Sequence, residues 1–340
     1  MKRRFKFTTA QWLLIRASII GVVLLVSVTI VFISYLEANQ KQASLDVLKT
    51  IRTAKKQQVE SFYEHLRNDA RVYATLDVVT HGFHRFSQAF YQGGVNTNNY
   101  RQVDSLYRLK LEALLGAQHY EDLYLVTNRG DVVFSARQQE DFGTNIARGA
   151  YRNQMIHQAF NNGKTSLFLT DISNYKLVGS KLPMGFAASP VFNEQGTRLG
   201  VLILRYSVAS VNQILARNIL PSQELNPRIF IIGQDFLLRA TSLPEDYSQL
   251  LKKKLDDRAA RAALDTKGSV EVTGDDFTTA GDYLYIKELD WHLLVALPNG
   301  SVRQGLTLIE SEVLIIVLLI VLFFVGVLYF YNRTLKKPVM

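Results

Sequence analysis

The sequence predicts an α+β protein in which a long helical region near the N-terminus leads into two tandem antiparallel-sheet modules, the whole flanked by two membrane-spanning helices. Three observations predict it. The runs Ala17–Leu36 and Val313–Tyr331 carry no charged residue; the chain from Val22 to His81 contains neither Gly nor Pro; and after Tyr120 short β-rich runs recur in two similar sets.

Residues 1–16 form a basic cytoplasmic N-terminus with Lys2, Arg3, Arg4, Lys6 and Arg16. The first apolar run, 17–36, is close to the roughly 20 residues that a helix needs to span a bilayer core. It exceeds the apolar region of a signal peptide, and no small-x-small cleavage site follows in "SYLEANQKQ", so an uncleaved anchor is expected. The second run, 313–331, is followed by Arg333, Lys336 and Lys337. Basic residues stay on the cytoplasmic side of spanning helices, so both termini are expected in the cytoplasm and residues 37–312 outside it. The net charge of +9 is then a topology signal: with eight basic residues in the flanks, 31 Lys and Arg remain outside against 30 Asp and Glu, and nucleic acid is not an expected partner. The absence of Cys excludes thiol catalysis and Cys-based metal sites, and leaves the outer region to be held by its own core.

Residues 37–119 read as stalk and distal helices. Leu45, Leu48, Ile51, Val59, Phe62, Tyr63, Leu66 and Val72 recur at mostly three- and four-residue intervals, so the first membrane helix is expected to continue outward as one rod. "QGGVNTNNY" ends this region with turn formers, and "YRQVDSLYRLKLEALLGAQ" reads as a further helix. The membrane-distal module, 120–218, begins with a hairpin over 122–136 turning at Asn128–Gly130 and ends with another turning at "NEQG". The membrane-proximal module, 228–298, repeats the plan, with a hairpin over 228–242 turning at Gly233–Asp235 and a second turning near Glu288–Asp290. Between its hairpins lies a charged helix, "PEDYSQLLKKKLDDRAARAAL".

No Gly-rich phosphate loop, HExxH, GxSxG or paired Ser and His motif occurs, so no catalytic residue and no cofactor is expected. His81 and His84 could share a helical face, but without a carboxylate or Cys pattern nearby they predict no metal site.

The order of elements, and above all "LYLVTNRGDVVFSARQQEDFGTNIARGAYRNQ", "LTDISNY" and "FAASPVFNEQGTRLGVLILRYSVASVNQIL", resembles the double Cache sensors of bacterial transmembrane receptors. These are PAS-like extracytoplasmic domains of chemoreceptors, sensor histidine kinases and nucleotide cyclases. The resemblance implies a homodimeric receptor in the bacterial inner membrane whose periplasmic region senses a small molecule such as an amino acid, an amine or an organic acid. It places the ligand in the distal module, with Tyr151 and Arg152 in the covering segment and Asp171 and Tyr175 after it. A carboxylate would pair with a ligand ammonium, an Arg with a carboxylate, and Tyr rings would form walls with a polar tip. Arg137, Asp141 and Arg148 are secondary candidates, since "QQEDFGTN" is also ordinary turn chemistry. The alternative is structural: Asp171 caps a turn, Tyr175 packs on the sheet and Arg152 is solvated. The proximal module is expected to be smaller and ligand-free. The tail 332–340, "NRTLKKPVM", resembles the start of a HAMP linker, which implies an output module beyond Met340. A rival reading is an interaction domain that docks a periplasmic protein and binds no small molecule.

Overall fold

In a computed structural model of the chain, residues 9–116, 120–175, 182–217, 227–299, 315–323, 325–326 and 329 are described. They fall into two compact units, Met1–Val47 with Pro298–Met340, and Leu48–Leu297.

The first unit contains the N-terminal part of helix α1 (Thr9–Tyr73). The helix is continuous through residues 17–36 and exposes Ile19, Ile20, Val23, Leu24, Val28 and Val31. The Ser27 and Thr29 hydroxyls donate back to the Val23 and Leu25 carbonyls at 2.8 and 2.9 Å, so their polar atoms need no solvent. Residues 315–323 are also helical, with Ile315, Ile316, Leu318 and Leu319 exposed. Among the described residues no helix is long and apolar enough to cross a membrane. Residues 1–8, part of the 313–331 run and the HAMP-like tail 332–340 lie outside the described residues.

The second unit holds the rest of α1, then α2 (Asp77–Gly93) and α3 (Asn98–Glu112). The distal module follows as β1 (Tyr120–Thr127), β2 (Val132–Ser135), α4 (Met155–Gly163), β3 (Phe168–Leu169), β4 (Met184–Phe192), β5 (Arg198–Ser207) and α5 (Val208–Ala216). The proximal module comprises β6 (Arg228–Gly233), β7 (Leu238–Thr241), α6 (Arg258–Leu264), β8 (Val270–Thr273), β9 (Phe277–Ile286) and β10 (Leu289–Pro298). The two five-stranded sheets have the same order, β2-β1-β5-β4-β3 and β7-β6-β10-β9-β8, so the duplication read from the sequence is present in the topology.

Side chains alternate across a strand, which gives each sheet two distinct faces. In the distal sheet Tyr124, Val126, Val201, Ile203, Phe186 and Ala188 join α4 residues Ile156, Ala159 and Phe160 in one core. The opposite face meets the helices: the Tyr206 ring is edge-on to Tyr63 of α1 at 5.7 Å, and Phe134 lies 4.9 Å from Phe86 of α2. Gly200 belongs to that face, and a Cβ there would meet the Val126 carbonyl oxygen and Phe83, so α2 sits against bare backbone. Lys55 of α1 is buried and donates to the Ile214 and Arg217 carbonyls at 2.5 Å, which caps the C-terminal end of α5 with a cation.

The outward continuation of the first helix is present: α1 is unbroken from Thr9 to Tyr73, and the Gly- and Pro-free run breaks at residues 74–76, between α1 and α2. There the Thr75 and Leu76 amides bond three residues back, to Val72 and Tyr73, and Asp77 opens a new helix with its acidic side chain in the first turn. One expectation is corrected: the charged stretch of the proximal module, read as a single helix, is divided. A 3-10 turn over Pro244–Gln249 is capped by Leu250, and Leu251 after it takes a left-handed φ of 60°. Residues 251–255 then hydrogen-bond to the edge of β7, and Asp257 starts α6 afresh by accepting the Ala260 amide at 2.8 Å.

Candidate functional site

The α4-facing side of the distal sheet changes character at one end. Along β5, Val201 and Ile203 are followed on the same face by Arg205, whose neighbours across the sheet are Asp122 of β1 and Phe186 of β4. Both charged residues are buried, Arg205 at 2% exposure and Asp122 at 0%. The Arg205 guanidinium donates to the Tyr124 hydroxyl at 2.6 Å and to Gln139 at 2.8 Å, and it stands 3.8 Å from Asp122. Asp122 accepts from the Ser135 hydroxyl at 2.9 Å and from the Leu123 and Arg137 amides. Burial raises the Asp122 carboxyl, against the attraction of Arg205 and the Ser135 bond. Burial also raises the Tyr124 phenol, which the Asp122 and Asp141 charges push further in the same direction.

The loop after β2 covers this end of the sheet. Asp141 is fully buried and accepts the Tyr175 hydroxyl at 2.8 Å. The Tyr175 ring stands edge-on to Phe186 at 5.1 Å, and the half-buried Tyr151 lies 6.2 Å from it. Burial, with Asp141 beside it, keeps the Tyr175 phenol protonated. Among the described residues, Asp141 Oδ1 and Arg205 Nε have no hydrogen-bond partner, nor has Gln154 Oε1 just before α4.

The structure thus brings together Tyr151, Tyr175 and Asp141, and separates the others from them. Arg152 ends a 3-10 turn over Gly149–Tyr151 and is exposed, as is Arg148 at the start of that turn. Arg137 is exposed, and its guanidinium donates to the Glu121 carbonyl. Asp171 turns away from Tyr175: its carboxylate accepts from Arg239 of β7 at 2.9–3.1 Å and from the Trp291 indole of β10 at 3.1 Å. Sequence reasoning missed Arg205, Asp122, Gln139 and Gln154. The signal for the first two is a charged residue inside an otherwise apolar alternating strand, as in "YEDLYLVT" and "LGVLILRYS", which marks a buried charge whenever the alternation puts it on the core face.

The α6-facing side of the proximal sheet is filled. Ile232, Ala260, Ala263 and Leu294 form its core, and a Cβ on Gly281 would come within 3.0 Å of both Ala263 and Val270. His81 and His84 are exposed on α2, and among the described residues no cluster of three or more His, Cys, Asp or Glu could hold a metal.

Neither a protein-family model nor a curated protein matches the chain in sequence. Solved structures match it in fold. The ligand-binding domain of Campylobacter jejuni chemoreceptor Tlp3 in complex with L-valine is similar over 79% of this chain and 98% of its own, with a TM-score of 0.51 at 13% identity. The periplasmic sensory domain of Campylobacter jejuni chemoreceptor Tlp1 covers 78% and 98%, with a TM-score of 0.52 at 12% identity. The extracellular domain assigned to histidine kinase vpHK1S-Z8 covers 80% and 96%, with a TM-score of 0.53 at 9% identity. With its two sheets of identical order, its N-terminal helix and these neighbours, the chain has the fold of a double Cache, PAS-like extracytoplasmic sensor domain.

Proposed function

We propose that this chain is the sensing portion of a bacterial transmembrane receptor, and that its distal module binds a small molecule bearing an ammonium group. The carrying observation is the buried cluster on the α4 face, where Asp122 lies 3.8 Å from Arg205, both Asp141 and Arg205 act on Tyr124 and Tyr175, and among the described residues Asp141 Oδ1 has no hydrogen-bond partner. An ammonium would donate to Asp141 Oδ1, and Arg205 Nε would suit a carboxylate and the Tyr151 and Tyr175 rings a small side chain. An amino acid or a short amine fits this set, and the L-valine complex of the Tlp3 domain supports the choice of probe.

In this reading residues 17–36 and 313–331 anchor the chain in the inner membrane, residues 37–312 are periplasmic, and 332–340 begin a HAMP-like linker to an output module. The uncharged sequences of the two runs and the exposed Ile, Leu and Val side chains on them support the anchors. The receptor works as a homodimer, and ligand acts by binding one arrangement of it better than the other. The test is calorimetric titration of the full chain in nanodiscs with amino acids and amines, L-valine and L-isoleucine among them. At least one compound should bind with millimolar or better affinity, and Asp141→Asn should weaken it at least roughly tenfold, the loss of one charge-assisted hydrogen bond. If no compound binds, or if Asp141→Asn binds like the parent, the assignment is wrong.

A further inference from the structure

Asp171 belongs to the distal module by sequence and is held by the proximal module in space. The short segment from Thr170 to Tyr175 is fixed at both ends. At its C-terminal end the Tyr175 hydroxyl donates to Asp141, inside the proposed binding cluster. At its N-terminal end the Asp171 carboxylate accepts from Arg239 Nε and Nη2 and from Trp291 Nε1, while its Oδ1 also accepts the Ile172 amide at 2.7 Å. Arg239 is 7% exposed and Trp291 1%, so both donors meet the half-buried Asp171 carboxylate from the protein side. Asp235 holds the other side of Arg239 at 3.0 Å. Burial works against the Arg239 charge, and the bonds from Asp171 and Asp235 more than offset it. The backbone of the same segment is tied as well: the Thr170 hydroxyl accepts the Phe186 amide at 3.0 Å, and the Thr170 carbonyl accepts the Tyr206 hydroxyl at 3.3 Å. Tyr63 of α1 then stands edge-on to both Tyr206 and Trp291, at 5.7 and 5.5 Å.

We infer that Asp171 is a coupling residue: it transmits the state of the Asp141–Tyr175 contact to β7 and β10 of the proximal sheet, and does not itself touch ligand. This rests on the reading of the distal module as a binding site. The physical basis is that a short segment clamped at Asp141 and at Arg239, and paired between them at Ser173 with Met184 of β4, has little slack, so displacing Tyr175 strains or shifts the Asp171 carboxylate. Among the described residues, that carboxylate is the side-chain acceptor of the Trp291 indole. Trp291 sits on β10, the strand after which the sequence continues toward the 313–331 run, so the signal arrives on the segment that leads to the proposed second anchor.

The test needs no ligand. The chain has two Trp residues, so Trp12→Phe leaves Trp291 as the sole indole of the full chain in nanodiscs. Hydrogen exchange of its Nε1–H, read by NMR, reports the Asp171 contact. Tyr175→Phe removes only the hydroxyl that reaches Asp141 and should speed this exchange roughly fivefold, within the range of coupling between residues that share a network. In an Asp171→Asn background the same change should add less than roughly twofold, and Arg239→Gln should abolish the response in the same way and serve where Asp171→Asn is poorly folded. The inference is overturned if Tyr175→Phe leaves Trp291 exchange unaltered with Asp171 intact, or if the response survives in both Asp171→Asn and Arg239→Gln. A parallel arm adds L-valine: binding seen by calorimetry without a change at Trp291 overturns the coupling and leaves the binding site standing. If L-valine does not bind, the Tyr175→Phe comparison decides alone.

Discussion

Replacing Arg205 by Met should separate what the distal cluster does for binding from what it does for stability. Arg205 and Asp122 are buried 3.8 Å apart, which at an effective dielectric of about 20 gives an attraction of about 4 kcal/mol. That attraction must offset several kcal/mol of lost hydration for each ion, so the intact pair contributes little net stability. Removing the guanidinium alone is a different matter, because Asp122 then stays buried without it. The cost expected for a broken buried pair is ~3–5 kcal/mol. For a unit of this size, at ~2–4 °C per kcal/mol, the midpoint in a thermal melt followed by near-UV circular dichroism should fall by roughly 6–20 °C. The double variant Arg205→Met with Asp122→Leu removes both charges and should recover more than half of that loss. Neither variant should bind the compound that the parent binds. A fall smaller than ~2 °C for Arg205→Met, about the shift per kcal/mol, would show that the pair is hydrated, and a double variant no better than the single would show that packing, not charge, is at issue.

Three further outcomes are expected. Burial, with Arg217 nearby, lowers the Lys55 amine to about 8, so between about pH 8 and its unfolded value of ~10.4 Lys55 alone contributes stability that rises with pH; the difference in urea stability between parent and Lys55→Met should therefore shift in favour of the parent from pH 7.5 to pH 10. A Cβ on Gly163 would lie 2.6 Å from that of Ala188, so Gly163→Ala should lift α4 from the sheet, cost ~1–3 kcal/mol and weaken binding without touching a binding residue. Arg52 and Lys56 of α1 meet Asp282 of β9 at 3.5 and 2.8 Å, largely out of water; Asp282→Asn should lower the melting midpoint, and raising salt in the parent should do far less than it would to exposed pairs.

The hairpins were legible because each carries a local signal: alternation, then a turn that requires an unusual backbone. Gly130 and Gly196 have φ of 92° and 74° at two of the expected turns, and Glu288, at φ 72°, marks a third. The short strands β3 and β8 were not seen, since Phe168–Leu169 and "VEVT" have no such punctuation and are strands only because β4 and β9 present them with edges. Tyr175 and Tyr151 could be named from the resemblance in motif, and Asp141 only as a residue of a turn. Its burial follows from the fold of the loop over the sheet, which depends on distant partners. Asp171 shows the limit most clearly: its position in "LTDISNY" suggests a place beside Tyr175, whereas Arg239 and Trp291, which decide where it points, lie in the other module.

The contacts of α1 also set the order in which this protein can fold. Its partners arrive late: Lys55 waits for carbonyls 159 residues downstream, Lys56 for Asp282 at a separation of 226, and Arg67 for Glu288 at 221. The first helix made is therefore among the last elements to find its place, with Leu48, Ile51, Val59 and Leu66 bare on one side until both sheets exist. Such long closures make folding slow and expose the nascent chain to wrong partners. Tethering the start of that helix to a bilayer would shorten the search, by keeping it near the site of synthesis while the modules that cover it emerge.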